Sequence, residues 1–228
     1  ITGTFTIDAS SNVSFSTADS TFNALDVQAD NGIVISRNIT TAVGALAFDG
    51  DADTGADGAD NVSIAADITL TAGTSLTLDA ATGNITGAGA LSLNAKSGVT
   101  LNDDLTLSAS GAFTANADTD GDGGTFSAQG IDTTAGAVDE ISITASALTL
   151  SGVVDAGAGN IALQTSTNAT TIGFGTGSTG TFNLAETELQ NLNSSATVSI
   201  GRSTGTGAVS ISTANLTLET FNLSITGG

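Results

Sequence analysis

The sequence contains no cysteine, methionine, histidine, tryptophan, tyrosine or proline among its 228 residues. Without cysteine there is neither a disulfide nor a thiolate, and without histidine the usual proton shuttle and nitrogen ligand for metals are gone. Most familiar active sites are thereby excluded, and the chain reads as a non-enzyme. Basic residues are nearly absent too: Lys plus Arg number 3 against 23 Asp plus Glu, a net charge of −20. Nucleic acid and anionic lipid are poor partners for such a surface, because binding them depends on counterion release by Lys and Arg. No apolar run of about 20 residues is present to cross a membrane as a helix. No signal peptide is evident and the chain starts at Ile1, so it reads as a processed product or a segment of a longer chain. With 39% hydrophobic residues it is too apolar for an acidic disordered tail. Missing proline fits uninterrupted strand pairing, since an interior proline deletes a ladder hydrogen bond.

What is present is one short phrase, used repeatedly. Alternating apolar residues are followed by a corner of three or four residues, usually with Asn or Asp, and then by a second alternating run. It reads Ile33-Val34-Ile35 then Asn38-Ile39, Val62-Ser63-Ile64 then Asp67-Ile68-Thr69-Leu70, and Val99-Thr100-Leu101 then Asp104-Leu105-Thr106-Leu107. It returns at Ile141-Ser142-Ile143 with Leu148-Thr149-Leu150, and at Val209-Ser210-Ile211 with Asn215-Leu216-Thr217-Leu218. Alternation of this kind marks half-buried strands, with Val, Ile and Leu inward and Ser or Thr outward. A corner after each short strand predicts an all-β parallel β-solenoid, in which every rung pairs with the next.

Longer offsets support that reading. A shift of 37 carries Val62, Ile64, Asp67, Ile68, Leu70 and Leu76 onto Val99, Leu101, Asp104, Leu105, Leu107 and Phe113. A shift of 68 carries Ile141, Ile143, Leu148, Leu150 and Val153 onto Val209, Ile211, Leu216, Leu218 and Phe221, and one of 76 carries the phrase Asp79 to Ile85 onto Asp155 to Ile161. Shifts of 37 and 76 are close to two and four times 19, which predicts rungs of roughly 18 to 20 residues and about twelve of them. Residues 1–228 then form one rod, roughly 55 to 60 Å long at about 4.8 Å per rung. The segment Leu184 to Leu192 has spacing closer to helical and is expected to form a single turn or a bulged strand.

Two acidic loops are candidate sites for Ca2+. Asp118-Thr119-Asp120-Gly121-Asp122-Gly123 matches the first half of a calcium loop, with alternating carboxylates and a glycine for the sharp turn. Its twelfth position is Gln129 rather than a bidentate Glu, so it is not an EF-hand. Asp49, Asp51 and Asp53 repeat the spacing and are followed by Asp57 and Asp60. The competing reading is a solvated acidic insertion between rungs.

Other motifs are weaker. The glycines Gly175, Gly177 and Gly180 have dinucleotide-loop spacing, but a strand-like run follows where a helix is required, so a tight turn is expected. Lys96 beside Ser97 would point to opposite faces of a strand, and Asp103-Asp104 and Glu186 with Glu188 are the closest approach to paired carboxylates for glycosidic chemistry. Corner and surface roles are expected for all of them. Arg37 and Arg202 are expected in surface ion pairs.

The runs Thr171-Ile172-Gly173-Phe174-Gly175, Gly180 to Leu189 and Val198-Ser199-Ile200-Gly201-Arg202, with Asp155 to Ile161, resemble repeat units of filamentous-haemagglutinin-like surface adhesins of bacteria. The resemblance covers residues 62–228 in style and 171–202 in motif detail. It implies a right-handed parallel β-helix exported to the extracellular space or cell surface, where such repeats act as stalks or binding surfaces. The expected function is therefore a secreted structural or adhesive solenoid, a stalk or the building block of a fibre. Its partners would be neighbouring copies or flanking repeats at the solenoid ends, and cell-surface glycans or proteins. The alternative is a carbohydrate-active β-helix, a polysaccharide lyase or hydrolase.

Overall fold

Alternation sets the architecture. In the strand Ile68–Ala72, Ile68, Leu70 and Ala72 are buried while Thr69 and Thr71 are half-exposed, and Ser75–Asp79 and Leu91–Ala95 repeat the pattern. Strands this short cannot bury their apolar side alone, so each leans on the strand a turn above and below. The computed structural model describes residues 2–56, 58–136, 140–217 and 219–227, and within them every pairing between named strands is parallel and in register. The result is a β-solenoid with three faces. Face 1 runs over seven strands from Thr4–Ala9 to Ala147–Leu150, face 2 over eight from Val13–Phe15 to Leu192–Asn193, and face 3 over nine from Ser20–Phe22 to Asn222–Thr226.

The interior is one continuous apolar column. Leu46, Leu76, Val99, Phe126 and Leu148 stack on face 1, Ile33, Val62, Ile85, Leu105 and Ile131 on face 2, and Leu91, Phe113, Ile141, Ile161 and Val198 on face 3, all buried. Each such side chain contributes about 1.5–3 kcal/mol by leaving water. Small residues close the corner from face 3 to face 1, where strands end on Ala72, Ala95, Ala145 and Thr165. The buried Thr41 hydroxyl donates to Gly44 O and accepts from Gly73 N there. Gly87 stands at an inward position of face 2, where a Cβ would collide with the Leu107 side chain.

The corners carry a second ladder made by side chains. Asn38 Oδ1 accepts Thr69 N at 2.8 Å, Asn61 Oδ1 accepts Asn84 N at 2.8 Å, and Asn160 Oδ1 accepts Thr197 N at 3.3 Å, each donor lying one turn further along. Asp19 Oδ1 does the same for Asn38 N. Asp67 instead takes the left-handed backbone at its corner, with φ +60°, a conformation that short polar residues tolerate.

Rung length and number differ from the sequence reading. Along face 2 the chain steps from Val13 to Ile33, Val62, Ile85, Leu105, Ile131, Val154 and Leu192, that is by 20, 29, 23, 20, 26, 23 and 38 residues. A plain turn therefore takes about 20 to 23 residues and there are about nine turns, as the nine strands of face 3 count. The shift of 37 joins Val62 on face 2 to Val99 on face 1, so it spans five thirds of a turn and matches different faces. Val153, aligned as a core position, is 54% exposed.

The longest step holds an insertion. Ile172–Phe174 pairs with both Phe182–Leu184 and Val209–Ile211, and Phe182–Leu184 packs against Ala147–Leu150. The small sheet prolongs face 1 with its strands out of chain order. A helix, Glu186–Gln190, returns the chain to face 2 and is the expected helical turn. The phrase at Asn215 is no strand: Asn215 Oδ1 binds Thr217 N and Oγ1, a local bond that competes with pairing. Leu218 lies outside the described residues.

Phe126→Ala, in the middle of the column, is expected to cost about 3–5 kcal/mol in urea unfolding. Phe5→Ala, on the first turn where the ring is 40% exposed, is expected to cost a small fraction of that.

Candidate functional site

The outward positions distribute charge unevenly over the faces. None of the nine strands of face 3 contains a charged residue. Their outward side chains form two columns, one through Thr69, Ser92, Thr114 and Ser142, the other through Thr40, Thr71, Asn94, Asn116, Thr144 and Gln164. Hydroxyls and amides thus recur about every 4.8 Å along the rod and about 6.6–7 Å across it. Charge collects on the other two faces. On face 2 the column Ser63, Thr86, Thr106 changes to Asp132 and Asp155, which lie opposite each other in register, and then to Asn193. Asp132 and Asp155, with Asp104, Ile131 and Val153, line an open groove of about 340 Å³. The sequence reading missed this cluster because it used shifts of 37 and 76; a step of one turn from Asp132 to Asp155 reveals it.

Both acidic loops are insertions at corners. In the first, Asp118 is buried while Asp120 and Asp122 are exposed. Asp118 Oδ1 accepts Gly123 N at 3.0 Å, and Oδ2 accepts the Ser166 hydroxyl at 2.5 Å. Burial pushes its carboxyl upward, but the Ser166 hydroxyl and the backbone N–H groups of Gly123, Gly124 and Asp122 outweigh that and hold it below the ordinary aspartate range. The loop is organised around this carboxylate, and its three aspartates do not converge.

The second loop leaves face 1 after Leu46–Asp49 and rejoins face 2 at Val62–Ile64. Asp49 is half-buried and accepts Asp51 N, Asp51 is buried and accepts Thr82 N at 2.6 Å and the Thr82 hydroxyl at 2.7 Å, and Asp53 is exposed and caps Gly55 N. Among the described residues no group of three carboxylates gathers to hold a metal. Asp57 lies outside them. Asp49, Asp51 and Asp53 therefore do not gather as one triad.

Register also stacks like charges. Asp49 lies opposite Asp79 in the next turn, and Asp103 reaches back to Ala80 N at 2.6 Å. Burial raises the carboxyls of Asp49 and Asp103, with repulsion from Asp79 adding to it and a backbone N–H opposing it in each case.

The remaining candidates are occupied structurally. Glu188 accepts Leu150 N at 3.0 Å and Ala185 N at 2.9 Å, closing the end of face 1, while Glu186 accepts the Thr176 hydroxyl and Asn215 N. Lys96 and Ser97 are exposed on a corner, both donating backbone N–H to Thr74 O. The glycines from Gly175 to Gly180 form the loop between two parallel strands, with Gly175 at φ +91° and Gly177 at φ +76°, and a strand follows where a dinucleotide loop needs a helix. Arg37 and Arg202 donate to backbone carbonyls, of Ser36 and Ser166 respectively, and among the described residues neither makes the expected ion pair.

Comparison with protein-family models, with curated proteins and with solved structures finds no match to this chain.

Asp118→Asn is expected to destabilise the protein by about 1.5–3 kcal/mol at pH 7, the scale for a charged hydrogen bond. A depressed folded-state carboxyl stabilises above its unfolded value, near 3.8, and loses that as pH falls through the folded value. The gap between wild type and variant in thermal melts should therefore close below about pH 3.8. Asp49→Asn has the opposite sign. The raised carboxyl penalises the folded state at neutral pH, so the variant should melt higher at pH 7 and lose its advantage below the unfolded value.

Proposed function

We propose that this protein is a structural and adhesive β-solenoid of the extracellular space or cell surface, the stalk of a surface adhesin or the unit of a fibre, and that it breaks no bonds. The observation that carries the reading is face 3, a flat lattice of hydroxyls and amides without a charge on a chain of net charge −20. A regular uncharged polar lattice offers hydrogen bonds to the repeating hydroxyls of surface glycans or to protein, with little desolvation of charge. Acidity elsewhere keeps parallel rods apart. Of the carboxylates first considered for catalysis, Asp103, Glu186 and Glu188 bind backbone N–H groups, which supports a role in holding the coil. The likeness of residues 171–202 to filamentous-haemagglutinin-like adhesin repeats points the same way.

The ends supply the second contact. In the first turn, Val13, Phe15 and Phe22 are only partly buried, and at the far end Ile211 and Leu223 are exposed. An exposed strand edge is a template for further pairing, so flanking repeats or neighbouring copies are the partners there. The groove beside Asp104, Asp132 and Asp155 favours the alternative, a polysaccharide lyase or hydrolase.

A glycan array run beside a polysaccharide cleavage panel separates the two. Binding without product is expected, and Thr114→Glu, which leaves serines as its register partners on both sides, should weaken it at least about tenfold, a loss of about 1.4 kcal/mol or more, at a nearly unchanged melting temperature. Product release abolished by Asp132→Asn or Asp155→Asn would replace the adhesive reading with the enzymatic one. Negative-stain images at raised concentration should show end-to-end rods for a fibre; single particles would leave the stalk.

A further inference from the structure

All three basic residues of the chain border face 3. Arg37 lies in the corner that leads into Ile39–Thr41, Lys96 follows Leu91–Ala95, and Arg202 follows Thr197–Gly201. The opposite edge of the three-sided rod, where face 1 turns into face 2, carries Asp30, Asp51, Asp53, Asp60, Asp103 and Asp104. A chain of net charge −20 repels its own copies. Face 3 is the side by which two of them approach without bringing those carboxylates together.

Face 3 is also complementary to itself. Its outward Ser, Thr, Asn and Gln side chains each donate and accept hydrogen bonds, and a second copy presents them at the same spacing of about 4.8 Å per turn. Nine strands make the face about 40 Å long, and strands of three to five residues make it about 10–17 Å wide. Covering it on two copies buries about 1,000 Å² in total, the area at which a specific interface begins.

The edge between face 3 and face 1 sets the direction of pairing. Counted from Ser20–Phe22, Lys96 leaves the fourth strand of face 3, Leu91–Ala95, and the Asp118–Gly123 loop leaves the fifth, Phe113–Asn116. The loop then follows the edge: Asp118 accepts the Ser166 hydroxyl, and a Cβ on Gly121 would touch the Thr167 side chain, both just past the seventh strand, Ile161–Thr165. The exposed Asp120 and Asp122 flank Gly121 and so sit beside the turns of the fifth to seventh strands. A two-fold axis across the fifth strand carries the fourth onto the sixth, which brings Lys96 of each copy to the acidic loop of the other. We infer that two copies of this chain pair through face 3 as an antiparallel dimer centred on Phe113–Asn116, an isologous contact with Lys96 of each rod beside the other's Asp118–Gly123 loop. The pairing rests on the reading of face 3 as a binding surface and names a second copy as the protein it binds.

Sedimentation equilibrium of the whole chain at physiological salt tests this, with melting curves to confirm that each variant folds. A reversible monomer–dimer equilibrium is expected, with a Kd on the order of 10–100 µM for an interface of this size. Thr114 stands at the two-fold, where it meets its own counterpart, so Thr114→Glu sets like charges together and should weaken pairing at least about tenfold. Thr77→Glu adds the same charge on face 1, between Ala47 and Thr100, and should leave the Kd within about twofold. Lys96→Glu should weaken pairing about threefold, and Lys96→Glu with Asp120→Lys should restore it. A wild type that stays monomeric to about ten times that Kd would overturn the dimer, while glycan binding by that monomer would preserve the adhesive reading. A dimer as tight in Thr114→Glu as in wild type would place the contact elsewhere and overturn pairing through face 3. Failure of the charge exchange to restore pairing would overturn the antiparallel arrangement.

Discussion

The parallel ladder between successive turns is the interaction on which everything else depends. A strand of three to five residues carries too little apolar surface to be stable alone, and no sheet here closes on itself. Stability comes from each turn burying its inward column against the next. The backbone ladder would break at every corner, where the chain changes direction, unless something replaced it. Asn38, Asn61, Asn160 and Asp19 do so by presenting a side-chain oxygen to the N–H of the next turn. Asn or Asp at these corners is thus explained by a contact one turn away, 19 to 37 residues along the chain, more than by local backbone preference; Asp67 alone among those in the repeated phrase takes a left-handed backbone.

The same ladder decides where variation is tolerated. A corner can open to admit a loop provided both feet return to their register, as at Asp49 and Val62, where Gly32 N to Gly50 O and Ile33 N to Asn61 O preserve the pairing on either side of the insertion. The insertion before the Glu186–Gln190 helix is a larger case. It removes a rung from its expected place, and Glu188 with the Asn191 side chain takes over the N–H and O of Leu150 that a neighbouring strand would have bonded. Stacking in register has a cost as well, because identical charges at one position fall about 4.8 Å apart. Asp49 over Asp79 and Asp132 over Asp155 are such pairs.

Much of the architecture was legible in the sequence. Strand identity, inward and outward sides, the single column and the parallel solenoid follow from the alternation at Val62-Ser63-Ile64, Ile68-Thr69-Leu70 and their copies. Turn length was not, for a physical reason. All three faces use the same strand phrase, so self-similarity aligns any strand with any other, and a shift of 37 equates Val62 on face 2 with Val99 on face 1. Both acidic loops are insertions, the competing reading of the calcium-like spacing, and spacing along the chain could not tell which carboxylates turn inward. Asp51 and Asp118 do because donors from later turns meet them, Thr82 one turn on and Ser166 two turns on. Those donors lie 31 and 48 residues away, beyond the reach of any local motif.

A rod of this design separates its duties by direction. Inward positions hold the column, corner carboxylates and amides hold the turns together, and only the middle of each face is free to vary without loss of stability. Face 3 uses that freedom to exclude charge over nine consecutive strands, although the chain carries 23 acidic residues that must sit somewhere. Stacking alone does not require this, since face 1 accommodates Asp8, Asp26, Asp49 and Asp79 on its outer side. A surface kept neutral over nine strands of an acidic solenoid suits contact spread over many turns, each contributing weakly, which is what the proposed binding role requires.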